Sequence, residues 1–421
     1  MDMEIFMEHR RPELLSPAGN FEKMRAAIRY GADAVYLAGT RFGMRSAAGN
    51  FSEEELKDAV AYAHARGVRV YLTVNVMPRE NEYPALREYF LRIADFGIDA
   101  MIIADLGVLA LVREVLPTME IHISTQANVV SAATCKAYAA LGAKRIVLAR
   151  ELTLDEIRAI RAAIPDDLEL EVFIHGSMCI SYSGRCLLSG HIVGRDANRG
   201  QCAQPCRWNY RLYSGEIVEE KRPDAPLPIV EEEGETFIMA SRDTSMIAHV
   251  PELIEAGIDS FKIEGRMKSA YYAAATANAY RMAIDSYLSG HYEYNPAWER
   301  ELSSVSHREY ATGYFYSDSH LDANTTKTGG YIKENAYLAT VLSYDPATGR
   351  ALMEQRNKMC VGDGAELLTP GQTGRPLTVT AIFSEEGEPI SATPHPYMRF
   401  YIPVPYPVLP GDILRAAGSE T

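Results

Sequence analysis

The feature with the clearest chemical potential is a group of four cysteines in the middle of the chain. They are Cys179, Cys186, Cys202 and Cys206, with the spacing C-x6-C-x15-C-x3-C. The chain's other two cysteines lie far away on either side. Because thiolates are strong ligands of soft metals, this four-cysteine group predicts a metal or iron–sulfur centre.

The spacing helps to choose between metals. Structural zinc favours closely spaced cysteine pairs at both ends of a site, and Cys202 with Cys206 fits that pattern. The wider gap between Cys179 and Cys186 suits an iron–sulfur cluster better, because its iron atoms are spread in space. From the residues alone, iron–sulfur is favoured, while zinc and unliganded thiols stay open.

Composition and charge limit the class of protein. A formal net charge of -14 argues against a protein that coats nucleic acid over its whole surface, although a local basic site stays open. The N-terminal residues lack an apolar targeting stretch, and no run approaches the ~18 apolar residues of a membrane span. We therefore expect a cytoplasmic protein without a membrane partner, where grouped cysteines favour metal over disulfides.

Strand-like and helix-like segments alternate through residues 13–266. Short apolar runs, typical of parallel strands covered on both faces, are separated by amphipathic helical stretches. Two of these stretches open with capping boxes, Ser52 with Glu55 and Thr153 with Glu156. The pattern predicts a (β/α)8 TIM-like barrel, with an open doubly wound sheet as the runner-up. The predicted strands are 13–16, 34–38, 69–75, 100–104, 120–124, 145–149, 171–174 and 260–263.

The alternation also predicts the domain organisation. We assign 1–290 to the barrel, with an insertion at 176–236 that follows the seventh strand and carries the four-cysteine group. Barrel chemistry is built at the strand ends from which this insertion leaves. Residues 291–330 form a linker or helical extension. Short alternating runs with turn signals predict a small all-β barrel at 331–421.

Candidate site residues follow from the barrel, since barrel active sites lie at the carboxyl ends of the strands. We predict His175, Lys262 and Glu264 as catalytic. For His175 a packed position is an equally open alternative, and Glu264 could instead form an orienting ion pair. The predicted substrate-binding residues lie at strand ends or near the cysteines: Arg41, Arg45, Gln126, Asn128, Arg150, Arg185, Arg199 and Arg266.

Arginines are dense around the four-cysteine group. Between Arg185 and Arg211 there are five arginines against one acid, Asp196. Arginine binds phosphate and carboxylate through paired hydrogen bonds, so the stretch could clamp an anionic substrate. A solvated face or internal ion pairs would give the same composition. Tyr182 and Trp208 could stack on a base, although either would also fit a packed position.

Several motifs carry a resemblance to a known family. The chain resembles the U32 family of collagenase-like peptidases over nearly its whole length. Within that family, its length and C-terminal unit are similar to the prephenate-dependent tRNA uridine hydroxylation proteins. The motifs are LLSPAG at 14–19, EVFIHGSMC at 171–179, GRCLLS at 184–189, NRGQCAQPCR at 198–207, FKIEGRMK at 261–268 and SHREY at 306–310.

The resemblance implies a specific chemistry. It implies a [4Fe-4S] cluster and oxygen-independent hydroxylation of the tRNA wobble uridine to 5-hydroxyuridine. Prephenate or a similar dicarboxylate would donate the hydroxyl, and a second family member could take part. The alternatives are a U32-type peptidase, or a hydroxylase of ribosomal RNA or a small aromatic. Neither a G-x-S-x-G nor an H-E-x-x-H motif is present to support proteolysis.

The fourth cluster ligand needs a separate argument. Some relatives take it from just after a Ser-(Lys/Arg)-Asp phrase, which here is SRD at 241–243 and is followed by Ser245. We therefore expect Cys206 to serve as the fourth ligand, with a ligand other than cysteine as the open alternative.

Overall fold

The computed structural model describes residues 11–44, 49–208, 229–232, 235–238, 241–317, 324, 326, 332 and 335–418. Its first part alternates strands and helices, and its last part contains only strands. The strands up to residue 263 are β1 (Glu13–Pro17), β2 (Ala34–Leu37), β3 (Arg69–Val74), β4 (Ala100–Ile103), β5 (Glu120–Ile123), β6 (Arg145–Val147), β7 (Glu169–Ser177), β8 (Ile229–Glu232), β9 (Glu235–Ile238), β10 (Asp243–Ser245) and β11 (Ser260–Ile263).

Eight parallel strands, β1 to β7 and β11, close into a barrel. Each of the first six strands pairs with the next, and β11 pairs with both β7 and β1. Register is fixed at the closing seam, where Ser260 lies opposite Glu13 on one side and Glu171 on the other. The predicted (β/α)8 barrel is therefore confirmed, and the open doubly wound sheet is wrong.

Helices cover the outside of the barrel. Both predicted capping boxes form, at Ser52 with Glu55 and at Thr153 with Glu156, and each fixes where its helix begins. No helix in the described ranges is long and apolar enough to cross a membrane. The helices are α1 (Phe21–Arg29), α2 (Glu53–His64), α3 (Tyr83–Ile93), α4 (Leu106–Val115), α5 (Ala132–Ala140), α6 (Leu154–Ala163), α7 (Leu188–Val193), α8 (Val250–Glu255), α9 (Ala270–Leu288) and α10 (Ala297–Ser303).

The insertion after β7 extends the barrel wall. β7 continues to Ser177, past the barrel rim, and β10 pairs antiparallel with this extension. A two-residue strand, β12 (Tyr310–Ala311), then pairs parallel with β10. The sequence pattern did not predict β10 or β12, because each is too short to show alternation. Together they form a small side wall beneath the cysteine-bearing segment.

The C-terminal unit is one antiparallel sheet with its own apolar core. Its order is β16-β15-β20-β13-β14-β19-β17-β18, so among the described residues the sheet is a half-barrel with two edges. The predicted all-β character is confirmed, with this open form in place of a closed barrel. Its strands are β13 (Tyr337–Asp345), β14 (Arg350–Gln355), β15 (Gly364–Leu368), β16 (Arg375–Thr378), β17 (Ile382–Ser384), β18 (Pro389–Ile390), β19 (Arg399–Pro403) and β20 (Ile413–Ala416).

Buried polar contacts fix this sheet to the barrel. Arg415 makes a two-pronged ion pair with Glu301 of α10, with N–O distances of 2.7 and 2.9 Å. The hydroxyl of Tyr30, at the end of α1, donates to the Leu368 carbonyl at 2.8 Å. Both contacts are shielded from solvent, so they specify one docking geometry.

Candidate active site at the barrel mouth

A cavity opens where the carboxyl ends of the barrel strands meet the insertion. Its volume is about 120 Å³. Since a water molecule occupies about 30 Å³ in the liquid, the volume of this mouth cavity is on the scale of one small ring. Residues from both the insertion and the strand ends line it, among them Cys179, Cys186, Cys202, Gln126, Arg150 and Arg266.

Thiols dominate the insertion side of the mouth cavity. Cys206 adjoins the three that line it: burial raises the pKa of its thiol, and Cys179 and Cys202 act on it electrostatically. All six cysteines of the chain are described, and none forms a disulfide. A set of four thiols has the donor chemistry of an iron–sulfur site. Within the described ranges, however, no three Cys, His, Asp or Glu side chains form a metal-binding group, so the cluster stays a prediction.

Arg150 holds the loop that carries Cys179. Its Nη1 donates to the Ser177 carbonyl at 2.9 Å, and its Nη2 donates to the Ser183 hydroxyl at 2.7 Å. These bonds fix the chain on both sides of the cysteine. Arg150 was predicted to bind substrate, and the structure places it in the cavity wall with much of its donor capacity already committed to this loop.

Arg207 ties the two ends of the four-cysteine group together. Its Nη2 donates to the Met178 carbonyl at 3.1 Å, and its Nη1 donates to the Gln204 side chain at 3.2 Å. The Ser241 hydroxyl also donates to the Met178 carbonyl, at 2.7 Å. The backbone beside Cys179 is thus bound to the segment that carries Cys206. A guanidinium at this point also favours thiolate over thiol.

Arg266 is buried in the opposite wall of the mouth cavity. Its Nη1 donates to the Thr73 hydroxyl at 2.9 Å, and its Nη2 donates to the Met44 carbonyl. Met44 is the last described residue before 49 in the loop after β2. Arg266 therefore holds this loop against the cavity as well as presenting positive charge there.

Two predicted polar residues follow β5. Gln126 lines the mouth cavity, and its side-chain oxygen accepts from Asn75 at 2.5 Å and from Ser124 at 2.9 Å. Asn128 does not line it. The Asn128 backbone is left-handed, with φ at 55°, and its side chain donates to the Gln126 carbonyl at 3.0 Å. Gln126 thus faces the mouth cavity, while Asn128 shapes the turn behind it.

The two catalytic candidates from β11 occupy different depths. Lys262 is buried at the cavity floor, with its Nζ 2.6 Å from a Glu171 oxygen and 4.7 Å from the centre of the Tyr36 ring. Glu264 is half-buried higher in the wall, where its Oε2 accepts from the Tyr36 hydroxyl at 3.2 Å. Lys262 is thus anchored by a buried carboxylate, and Glu264 presents a carboxylate to the cavity.

An ion network fills the barrel interior below the mouth cavity. Arg145 lies between Glu13 and Glu171, with N–O distances of 2.6 and 3.1 Å, and Ser260 donates to both carboxylates. Burial alone would raise the pKa of Glu171, but the charges of Lys262 and Arg145 outweigh burial and lower it. Both carboxylates are therefore ionised at neutral pH.

His175 lies behind the strand end, away from the mouth cavity. Its two ring nitrogens lie 3.4 Å from the Tyr280 hydroxyl and 3.5 Å from the Tyr310 hydroxyl. Burial lowers the pKa of His175 to about 3, and nearby Asp243 only partly opposes this. His175 is thus a neutral, packed histidine, and a direct catalytic role for it has no geometric support.

Three of the remaining predicted arginines, Arg41, Arg185 and Arg199, do not line the mouth cavity. Arg41 is exposed, with its guanidinium 5.0 Å from the Phe42 ring centre. Arg185 is also exposed, and Arg199 forms a two-pronged ion pair with Glu82 at 2.8 Å. Arg45 lies outside the described residues. Arg199 therefore forms an internal ion pair, which is one of the alternatives that the sequence left open.

The two candidate stacking residues differ in placement. Tyr182 lines the mouth cavity and is 45% exposed, so its ring is available to a bound molecule. Trp208 is tied back to its own segment, because its indole nitrogen donates to the Ala203 carbonyl at 3.0 Å. Tyr182 is therefore the better candidate for stacking.

Sequence reasoning missed residues that support the site. Thr73 and Ser183 both line the mouth cavity and fix the two arginines of its walls. Glu171 lies below them and holds Lys262. A signal was available for Glu171, since a carboxylate inside an apolar strand requires a buried partner. Thr73 and Ser183 gave none, because threonine and serine are common at strand ends and in loops.

The protein is a closed (β/α)8 barrel, and thiols and cations surround a small cavity at its mouth. It therefore belongs to the class of barrel proteins with an enzyme-like site. Residues 19–325 match the family described as Peptidase family U32, and residues 333–415 match the Peptidase family U32 C-terminal domain. The chain therefore belongs to peptidase family U32.

Relatives that match most of the chain carry names of two kinds. This chain is 36% identical over 410 residues to "tRNA hydroxylation protein P1" of Bacillus subtilis, and the match covers 96% of this chain and 95% of that one. It is 36% identical over 429 residues to "tRNA hydroxylation protein P" of Escherichia coli, covering 94% of each. A "Collagenase" of Porphyromonas gingivalis is 31% identical over 375 residues, covering 86% of this chain and 87% of that one.

Proposed function

We propose that this protein is an RNA hydroxylase that forms 5-hydroxyuridine at the wobble position of tRNA without using oxygen. The observation that carries the proposal is the mouth cavity, which combines three cysteines with cations and has room for one ring. The two relatives named as tRNA hydroxylation proteins, each matched over almost its full length, support the same activity. A tRNA substrate implies a cytoplasmic location.

In this proposal Cys179, Cys186, Cys202 and Cys206 hold a [4Fe-4S] cluster. When bound, the cluster would supply redox and Lewis-acid chemistry beside the cavity. Zinc is the alternative occupant. Deprotonation of Cys206, whose pKa burial raises, would be driven by metal binding.

The proposed hydroxyl donor is prephenate or a similar dicarboxylate. Among the described residues that line the mouth cavity, the charged ones are Arg150, Lys262, Arg266 and Glu264. Three cations against one carboxylate attract a dianion, even though Glu171 offsets part of the Lys262 charge. Glu264 is the group suited to accept a proton from the reacting ring.

The base must leave its helix or loop to enter. A cavity of about 120 Å³ accepts a single flipped pyrimidine, as base-modifying enzymes require. Tyr182 offers a stacking face, and the Gln126 amide offers polar groups to the edge of the ring. Ribosomal RNA or a small aromatic could present a similar ring, so the substrate must be tested directly.

Nucleoside analysis of tRNA tests the proposal. Deleting the gene should remove 5-hydroxyuridine, provided that no second family member is present to act in its place. Wild-type protein and the Cys360→Ser control should restore it, because Cys360 lies in the C-terminal sheet. Cys202→Ser should not restore it. Unchanged 5-hydroxyuridine in the deletion strain would contradict the proposal.

The cofactor is tested separately. Anaerobically purified protein should contain iron and sulfide, and Cys202→Ser should lose most of both while Cys360→Ser keeps them. Zinc without iron or sulfide would refute the cluster. Cleavage of gelatin by the purified protein, retained after chelation, would instead support the peptidase alternative suggested by the Porphyromonas gingivalis relative's name.

A further inference from the structure

A wide cleft separates α1 and the end of α2 from the C-terminal sheet. Its volume is about 1080 Å³, and we call it the α1 cleft. It begins at Phe21, in the first turn of α1, and extends past Arg29 to residues that precede β2 and β3. Since helices rise about 1.5 Å per residue, the nine residues of α1 span roughly 13 Å of its length.

The α1 cleft starts beside the mouth cavity. The first turn of α1 follows the carboxyl end of β1, on the mouth side of the barrel. Lys23 in that turn donates through its Nζ to the Arg266 carbonyl at 3.3 Å, and Arg266 lines the mouth cavity. The cleft therefore leads from the rim of the candidate active site along the outside of the barrel.

The cleft is positively charged in a protein of net charge -14. Its acidic lining residues are Glu22 and Asp33. Ion pairs neutralise four of its six arginines, including the pair of Arg356 with Glu22 at 3.0 Å, and leave two without an ion pair among the described residues. Its arginines are Arg11, Arg25, Arg29, Arg66, Arg281 and Arg356.

Two of these arginines are held by aromatic rings instead of carboxylates. The Arg25 guanidinium carbon lies 4.7 Å from the Phe21 ring centre and 5.3 Å from that of Tyr62. The Arg66 guanidinium carbon lies 3.6 Å from the Tyr62 ring centre. Among the described residues neither arginine has an ion pair. Both are exposed, so they offer oriented donors to an anion in the cleft.

We propose that the α1 cleft binds the phosphate backbone of the substrate RNA next to the flipped nucleotide. This inference rests on the proposed function. The mouth cavity is too small to take the nucleotides that flank the base, so their backbone must be held elsewhere. At the rise of about 3.4 Å per nucleotide of a stacked strand, α1 matches at most roughly four nucleotides, and it matches fewer of an extended single strand. Arginines and aromatic rings along one groove are the usual means of binding single-stranded RNA.

Equilibrium binding of unmodified tRNA across a salt series tests the proposal. Arg25→Gln with Arg66→Gln should weaken binding about tenfold. It should also reduce the slope of log K against log salt by roughly 1.5, because each lost phosphate contact removes about 0.7–0.9. The matched control is Arg158→Gln with Arg300→Gln, which also removes two exposed arginines, from α6 and α10 outside the cleft lining, and it should bind as wild type does.

The outcomes separate the two proposals. Wild-type binding together with an unchanged slope in the double variant would overturn the cleft assignment and leave the proposed function standing. Wild-type protein that binds no tRNA would refute both. If the double variant loses affinity for inorganic pyrophosphate but keeps its tRNA affinity, the cleft is a small-anion site and the RNA assignment is wrong. Circular dichroism should show unchanged folding in both variants.

Discussion

Replacing Lys262 by methionine tests whether this lysine is part of the barrel framework. Its Nζ supplies one of the two cationic contacts of Glu171, at 2.6 Å, and Arg145 supplies the other at 3.1 Å, while the neutral Ser260 hydroxyl donates a hydrogen bond at 3.1 Å. Breaking a buried ion pair costs about 3–5 kcal/mol. Because Glu171 keeps its second cation, we expect the lower end, about 3 kcal/mol, in urea unfolding at pH 7.

The loss should depend on pH. In the wild-type protein the pKa of Glu171 is lowered, so its stabilising contribution is present above the unfolded pKa of about 4.3. That contribution disappears as pH falls through the folded value. Without Lys262 the folded pKa rises and the contribution shrinks. The stability difference between the two proteins should thus be largest at pH 7 and should narrow towards pH 4.

Two further variants control the experiment. Lys262→Met with Glu171→Gln should be more stable than Lys262→Met alone, because it removes the buried carboxylate that has lost one of its two cations, while Arg145 keeps its ion pair with Glu13. Lys57→Met removes an exposed lysine of α2 and should change stability by less than about 0.5 kcal/mol. A loss below about 1 kcal/mol for Lys262→Met, with wild-type pH dependence, would show that the pair does not support the barrel.

Three other outcomes are expected. Arg150→Gln should break the anchors at Ser183 and at the loop backbone, so Cys179 of the metal-free protein should react several-fold faster with a thiol reagent. Gly176→Ala should lower the free energy of unfolding, measured in urea, by about 1–3 kcal/mol, because φ is 104° there and a Cβ would meet the neighbouring backbone. Burial lowers the pKa of His175 to about 3, so between about pH 6.5 and 3 the ring takes up a proton only in the unfolded protein. The free energy of unfolding of the wild-type protein should therefore decrease as the pH falls below about 6.5. His175→Phe should make this decrease smaller.

The barrel could be predicted because its signal is local and repeated. Each predicted strand run coincides with an observed barrel strand, and the two capping boxes fix helix starts through contacts three residues apart. The short strands β10 and β12 were not predictable in this way. They form because β7 runs past the rim and offers an edge with which β10 can pair. This depends on the tertiary structure and not on the local sequence pattern.

The candidate site was predictable in residue type and only partly in placement. Parallel strands end at one face of the barrel, and on that ground we predicted that Gln126, Arg150 and Arg266 lie at the mouth. All three line the mouth cavity. The positions of the strand ends could not show that His175 points away, because β7 carries a register shift opposite Lys262 and Ile263. One residue of offset reverses which side a side chain faces.

The register shift between β7 and β11 also explains why barrel closure and formation of the site depend on each other. The seam between β7 and β11 closes the ring, and it is the seam that carries the buried pair of Glu171 and Lys262. Immediately beyond the shift, β7 leads into the cysteine-bearing insertion and β11 leads to Glu264. A bulge at such a point re-aims the chains that follow it. The thiols and the candidate proton acceptor are therefore oriented by the seam that completes the barrel.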